Sequence, residues 1–212
     1  MKEERVFFNS GVISLEGILT SPQTQTPVPA AVVCHPHPQY GGNMHNNVVA
    51  GITHTLSKDG FITLRFNLRG VGASEGTYGG GIEETSDVKG AVDFIDGIDG
   101  VKRNSVFLVG YSFGAMVGLP IAFSDDRVKG WAAVSPPITI HDFTYLEECL
   151  KPKLIVFGDS DFVCPKEDIE RMFASFKDPK SIFIISGTDH FLIGNEETIS
   201  RRVCEFIRKF GG

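Results

Sequence analysis

The stretch from Ser105 to Phe123 constrains this chain most, because it reads as strand, sharp turn and helix in immediate succession. Val106, Phe107, Leu108 and Val109 form a short unbroken apolar run, suited to a parallel strand buried on both faces. Gly110-Tyr111-Ser112-Phe113-Gly114 follows. This G-x-S-x-G spacing puts a serine at the apex of a strained strand-to-helix turn, between two residues without side-chain bulk. Ala115, Gly118 and Ala122 then recur at helical spacing, small enough to let a helix lie close on a sheet. Pro120 is expected to kink or shorten that helix. Ser112 is therefore a candidate nucleophile.

Spacing alone is weak, since a chain with 24 glycines in 212 residues can meet it by chance. A second match, Gly72-Ala73-Ser74-Glu75-Gly76, makes the point. It lies several residues beyond the apolar run 61–66, and Gly79, Gly80 and Gly81 stand where a helix should begin. Ser74 is read as a loop serine.

The length and the 42% hydrophobic content suit one sizeable core, so a single domain over 1–212 is expected. The Pro/Thr-rich stretch Ser21 to Pro29 fits a surface loop between strands. A net charge of -6 without a run of lysines and arginines points away from nucleic acid and from anionic membranes. The first ten residues carry acids where a signal peptide needs a basic and then an apolar region, and eighteen apolar residues never run together. A cytoplasmic location is expected. Cys34, Cys149, Cys164 and Cys204 form no CxxC pair and are expected as reduced, mostly buried thiols.

In chain order, 4–9 and 12–20 read as two strands joined at Asn9-Ser10-Gly11, forming an antiparallel edge. Further strands are expected at 30–34, 61–66, 106–109, 129–134, 153–157 and 181–185. Helices are expected near 44–58, 83–98, 165–177 and 195–210, the last capped by Asn195 and ended by Gly211. Strands alternating with helices imply a mostly parallel sheet covered on both faces.

In such a sheet, catalytic groups belong at the carboxyl ends of strands. Gly158-Asp159-Ser160-Asp161 follows the strand 153–157, and Ser186-Gly187-Thr188-Asp189-His190-Phe191 follows 181–185. A serine nucleophile needs a base to take its proton and an acid to fix the tautomer of that base. The order Ser112, then Asp161 or Asp159, then His190 supplies both, with Asp189 a further candidate for the acid. A backbone N–H of Phe113 is expected in an oxyanion hole, with a second donor from the loop after 30–34. Pro36 and Pro38 have no N–H to offer. His35, His37 and His45 lack a carboxylate or cysteine at ligand spacing, so neither a metal nor any other cofactor is expected. His54 reads as a helix-surface residue and Cys164 as a buried thiol.

Taken together, these residues resemble the α/β-hydrolase superfamily, and within it the small lid-less serine hydrolases related to dienelactone hydrolases. The likeness spans nearly the whole chain. Besides the Ser-Asp-His order, it is carried by His35-Pro36-His37-Pro38 with Gly41-Gly42, by Phe66-Asn67-Leu68-Arg69-Gly70-Val71-Gly72, and by Glu84 with Asp87. The resemblance implies that Asp161 is the acid and that His37 supplies the second oxyanion N–H, with Gln39 or Tyr40 behind it. Dienelactone hydrolases carry cysteine at the elbow, where this chain has Ser112. Only about eighteen residues separate the strands ending near Val134 and beginning near Lys153, room for one short helix near 142–150 and not for a lid. An open site is expected, with Tyr40 and Phe191 touching substrate and Phe113, Tyr78 and Ile138 also on its rim. The activity expected is hydrolysis of small carboxylic esters. A serine aminopeptidase-like hydrolase and a non-catalytic binding member of the fold are the alternatives.

Overall fold

The computed structural model describes residues 1–23 and 26–212. Its strands are β1 (Lys2–Ser10), β2 (Ile13–Ser21), β3 (Val28–Cys34), β4 (Ile62–Phe66), β5 (Val101–Tyr111), β6 (Val128–Val134), β7 (Lys153–Gly158) and β8 (Lys180–Ile185). Its helices are α1 (Asn47–Lys58), α2 (Glu83–Asp96), α3 (Phe113–Ser124), α4 (Lys166–Ser175) and α5 (Glu196–Gly211). All eight strands join one sheet in the order β1-β2-β4-β3-β5-β6-β7-β8. β1 and β2 pair antiparallel, as do β2 and β4, and the remaining neighbours are parallel. This is the mostly parallel sheet with an antiparallel N-terminal edge that the sequence implies.

The parallel strands are apolar on both sides because each side has its own helices to bury against. Ala31, Val33, Phe107, Val109, Ala132 and Val134 face the α1–α5 layer, where Val49, Ile52, Ile199 and Val203 meet them. Alternate residues of the same strands, among them Val32, Leu108 and Ala133, face Val88, Ala91, Val117 and Ile169 of α2, α3 and α4. The short strand β4, with Ile62, Leu64 and Phe66 buried, completes the second core.

Several boundaries differ from expectation, each for a local reason. The first hairpin turns at Gly11 and Val12, one step later than Asn9-Ser10-Gly11, because Ser10 still pairs with Ile13 and Gly11 adopts φ 58°. Helix α1 starts at Asn47, not 44, since the Asn46 side chain accepts from the backbone N–H of Val48 and Val49. β5 begins at Val101, well before Val106, by pairing Val28 with Val101 ahead of a bulge. Pro120 does not end α3, which runs on to Ser124; the helix is buried against the sheet along its length, and that packing outweighs one missing hydrogen bond. Asn195 occupies the N-cap position of α5 without capping it, because its amide donates to Thr188 Oγ1 at 3.1 Å. Gly211 lies inside α5 rather than beyond it. The stretch expected as a loop from Ser21 to Pro29 is shorter at both ends, taken up by β2 and β3, and its Thr24 and Gln25 lie outside the described residues. Between β6 and β7 the only helical element is a 3-10 segment, Thr144–Glu148, so no lid stands over the carboxyl end of the sheet.

Candidate active site

At the end of β5, the chain passes from strand to helix in a single residue. Ser112 sits there at φ 52° and ψ -115°, a conformation that side-chain-bearing residues adopt only under tertiary constraint. Its N–H donates to Val134 O at 2.9 Å, tying the turn to β6. The two flanking glycines are required sterically. A Cβ on Gly110 would overlap the backbone of Ala115, and one on Gly114 would overlap the carbonyl of Cys34. The second contact presses the start of α3 against the loop leaving β3.

Ser112 Oγ lies 2.9 Å from His190 Nε2, and His190 Nδ1 lies 2.9 Å and 3.0 Å from the two carboxylate oxygens of Asp161. An imidazole donating from Nδ1 to the carboxylate presents Nε2 as the acceptor for the serine hydroxyl. Asp161 is only 3% exposed, and its Oδ1 also accepts from the N–H groups of Val163 and Cys164 at 2.9 and 3.0 Å. Tyr111 donates to the His190 carbonyl at 2.9 Å. Burial, reinforced by Asp161, Asp189 and Glu196, pushes the Tyr111 phenol well above its usual range. It stays a hydrogen-bond donor.

The other two aspartates have different partners. Asp159 accepts from the Gly187 N–H at 2.7 Å, and Asp189 from the Phe191 N–H at 3.0 Å. Both shape the loop that carries His190, and neither is hydrogen-bonded to its ring. Ser74 donates to Asn67 O at 2.7 Å and accepts from Glu16 N–H at 2.9 Å, both bonds buried. Cys164 is fully buried, its thiol pushed up by burial and then by Asp161.

The loop after β3 forms a short 3-10 turn, Pro38–Tyr40. Here Gln39 N–H donates to His37 Nδ1 at 3.2 Å and Tyr40 N–H to His37 O at 3.1 Å, so these two candidate donors are engaged within the turn. Among the described residues the N–H of His37 has no acceptor. Neither has that of Phe113, which lies in the first turn of α3. The His37 ring packs 4.7 Å from the Phe113 ring, centroid to centroid, and its Nε2 bonds the Tyr78 hydroxyl at 3.2 Å. Burial lowers the His37 pKa, with Glu84 opposing.

His35 is buried, with Nδ1 at 2.6 Å from Pro36 O and Nε2 accepting from Leu68 N–H at 3.1 Å. It is a neutral brace between two loops. Among the described residues no three of the His, Cys, Asp and Glu side chains form a metal-ligand set. The motif residues behind the site brace the same loops. Glu84 accepts from Gly79 and Gly81 N–H at 2.6 and 2.8 Å, and Asp87 pairs with Arg69 at 2.7 Å.

An open cleft of about 540 Å³ lies over Ser112. Tyr40, Phe113 and Phe191 line it as expected, together with Met116, Pro137, Ile140, Phe162 and Asn46, which the sequence reading did not single out. Ile138, partly buried, packs against the core instead, leaving its neighbours Pro137 and Ile140 to the cleft. Tyr78 lines an adjoining groove on the far side of the 3-10 turn. Met116 carried a readable signal, because a residue four after Ser112 shares its helix face.

Comparison with known proteins fits this geometry. Residues 27–151 match the Hydrolase_4 family, described as serine aminopeptidase, S33. The chain belongs to this family of α/β hydrolases. The hydrolase is 32% identical to protein RP471 of Rickettsia prowazekii (strain Madrid E) over 211 residues, 96% of this chain and 88% of that protein. An α/β serine hydrolase homologue from Coxiella burnetii superposes with a TM-score of 0.87 at 31% identity, covering 97% of each chain. Protein ATU1826 of Agrobacterium tumefaciens, described as a protein of unknown function, superposes at 0.89 with 30% identity, over 97% of this hydrolase and 95% of that chain. Among the described residues no helix is long and apolar enough to cross a membrane.

Proposed function

We propose that the chain is a serine esterase that cleaves small carboxylic esters through an acyl-enzyme, with Ser112 as nucleophile, His190 as base and Asp161 as the acid. The observation that carries this reading is the unbroken relay from Ser112 Oγ through His190 to Asp161, both steps at 2.9 Å, on a serine held at positive φ. As Oγ attacks the ester carbonyl carbon, its proton passes to His190 Nε2, and the imidazolium is stabilised by Asp161. Negative charge gathers on the former carbonyl oxygen, for which the free N–H groups of Phe113 and His37 are the available donors. Collapse of the tetrahedral species returns the proton from Nε2 to the departing alkoxide. Water then repeats the cycle on the acyl-enzyme, with His190 again as base. Tyr40 and Phe191 would contact substrate at the mouth.

The family description favours a second reading, an aminopeptidase-like activity. A substrate ammonium would need a carboxylate to hold it, and no Asp or Glu is among the residues lining the cleft. A neutral ester suits the cleft better. The likeness to dienelactone hydrolases rests on the loop motifs, and Ser112 at the elbow argues for a different ester.

Labelling with a serine-directed fluorophosphonate, followed by peptide mapping, tests the reading. Modification of Ser112 with turnover of p-nitrophenyl butyrate is expected. An unlabelled Ser112 would instead support a binding member of the fold. Faster cleavage of aminoacyl p-nitroanilides than of the ester would support the peptidase.

A further inference from the structure

The cleft runs across the end of the sheet and has two dissimilar walls. Phe113 and Met116, which pack with the α2–α3–α4 core, form one wall with Pro137 and Ile140. Tyr111, His190 and Phe191, whose rings neighbour one another, line the other side, and Asn46 lines the cleft from the start of α1, the helix that shares a core layer with α5. The orientation of the Asn46 amide is fixed by its own helix. Its Oδ1 accepts from Val48 and Val49 N–H at 3.0 and 3.4 Å, and a backbone N–H can only donate, so the oxygen points into α1 and Nδ2 is the atom left over. Nδ2 has no hydrogen-bond partner among the described residues.

The other polar groups in the cleft are mostly engaged. Tyr111 Oη is bonded to the His190 carbonyl, His37 Nε2 to Tyr78, and Ser112 and His190 to each other. Among the described side chains lining the cleft, only the Tyr40 hydroxyl, on a residue that is 88% exposed at the rim, shares the freedom of Asn46. A free donor in an otherwise apolar cleft loses water when substrate enters, and that loss is repaired only by an acceptor on the substrate.

We propose that Asn46 is a specificity residue whose Nδ2 donates to an acceptor oxygen in the alcohol portion of the substrate, so that the preferred esters have an ether, carbonyl or hydroxyl oxygen a few atoms beyond the scissile bond. The assignment to the alcohol portion rests on the esterase reading above. His190 must protonate the leaving oxygen, so the leaving group departs along the wall that His190 and Asn46 share. The acyl group is left to the Met116 wall.

Two isosteric esters test this: n-butyl butyrate and 2-methoxyethyl butyrate differ by one CH₂ exchanged for an ether oxygen. The ether also makes a better leaving group, so the readout is the change in the ratio of their kcat/KM values between proteins, not the ratio itself. Asn46→Ser and Asn46→Asp both retain a side-chain oxygen able to cap α1. Ser lacks the reach of the amide donor, and Asp replaces it with an acceptor. Whatever rate both esters lose in either variant, the ratio in favour of the methoxyethyl ester should fall about three- to ten-fold, the size of one net hydrogen bond, and further for Asp than for Ser. Equal losses on the two esters, or an unchanged ratio, would overturn the role of Asn46 while leaving the esterase reading intact. If the unmodified protein turned over neither of these esters nor p-nitrophenyl butyrate, the esterase reading itself would fall, and this inference with it.

Discussion

A side chain on Gly158 would overlap the carbonyl oxygen of Thr188, so the end of β7 and the loop that leaves β8 touch backbone to backbone just where Asp161 and His190 emerge. Ser160 N–H donates to the same Thr188 carbonyl at 3.1 Å. Gly158→Ala should therefore wedge the acid loop away from the histidine loop. Shifts of about 1 Å can cost on the order of 10² in rate, and kcat should fall by at least that much. A variant that stayed folded and kept full kcat would show that the two loops do not need this contact to align the pair.

The three aspartates separate by their partners. Asp161→Asn leaves the size of the side chain unchanged but disturbs the tautomer of His190, and should lower kcat by roughly 10³ to 10⁴. Asp159→Asn and Asp189→Asn disturb loop hydrogen bonds to Gly187 and Phe191 and should cost less than about ten-fold. Should Asp189→Asn prove the most damaging of the three, the acid has been assigned to the wrong residue.

Two serines share one local pattern and should part in their effects. In the proposed mechanism Ser112→Ala removes the attacking oxygen, and it should lower turnover by on the order of 10⁴ or more. Ser74→Ala removes no reacting group, but it leaves the Glu16 N–H and the Asn67 carbonyl unpaired in a buried place. It should reduce stability by about 1–3 kcal/mol with turnover per folded molecule retained. Thermal melts and active-site titration distinguish the two, and comparable rate losses would refute the elbow assignment.

What separated these serines in the sequence was context: an apolar run directly before Ser112, and loop glycines on both sides of Ser74. The same kind of signal made the strands legible, because parallel strands buried on both faces appear as unbroken apolar runs between helices. Counting beyond strand ends reaches His190 and the candidates Asp159, Asp161 and Asp189, and the family resemblance selects Asp161 among them. The cleft walls did not follow in this way. Ile138 and Ile140 are equivalent as letters, and only the path of the chain after β6 sends one against the core and the other to the cleft. The cap role of Asn195 failed for a related reason, since its side chain is turned toward Thr188, seven residues earlier, to which Nδ2 donates, and its oxygen accepts from no N–H of α5.

His35 should make stability depend on pH. Burial pushes its imidazole down from 6.5 to about 4, with the Pro36 carbonyl opposing and His37 adding to the shift. Between these values the unfolded chain binds a proton that the folded protein does not, so stability rises with pH. The contribution is complete above pH 6.5, declines as the pH falls, and levels off near 4. The difference of roughly 2.5 units corresponds to about 3 kcal/mol. Thermal midpoints measured from pH 7 to 4.5 should fall more steeply for the unmodified protein than for His35→Gln, whose side chain does not titrate. Identical slopes would mean that other groups set the acid sensitivity.

Acyl-chain length follows from the open cleft. Each methylene gains about 0.8 kcal/mol only where it leaves water completely. Near Ser112 the Met116 side chain offers such a place, filling the space beside Gly81 that a Cβ there would occupy. Farther out, Ile140, Phe162 and Phe191 are 73%, 67% and 59% exposed, so a long chain would lie across side chains that are themselves wet. With no lid between β6 and β7 to close over it, added length gains little and orders more of the chain. kcat/KM for p-nitrophenyl esters should therefore peak at acyl chains of about two to six carbons and decline beyond, with no activation at lipid interfaces. Met116→Ala, which deepens the enclosed part, should move the peak toward longer chains by one or two carbons. A steady rise through twelve carbons in the unmodified protein would refute the open-site account. A peak unmoved in Met116→Ala would place the acyl group on the other wall.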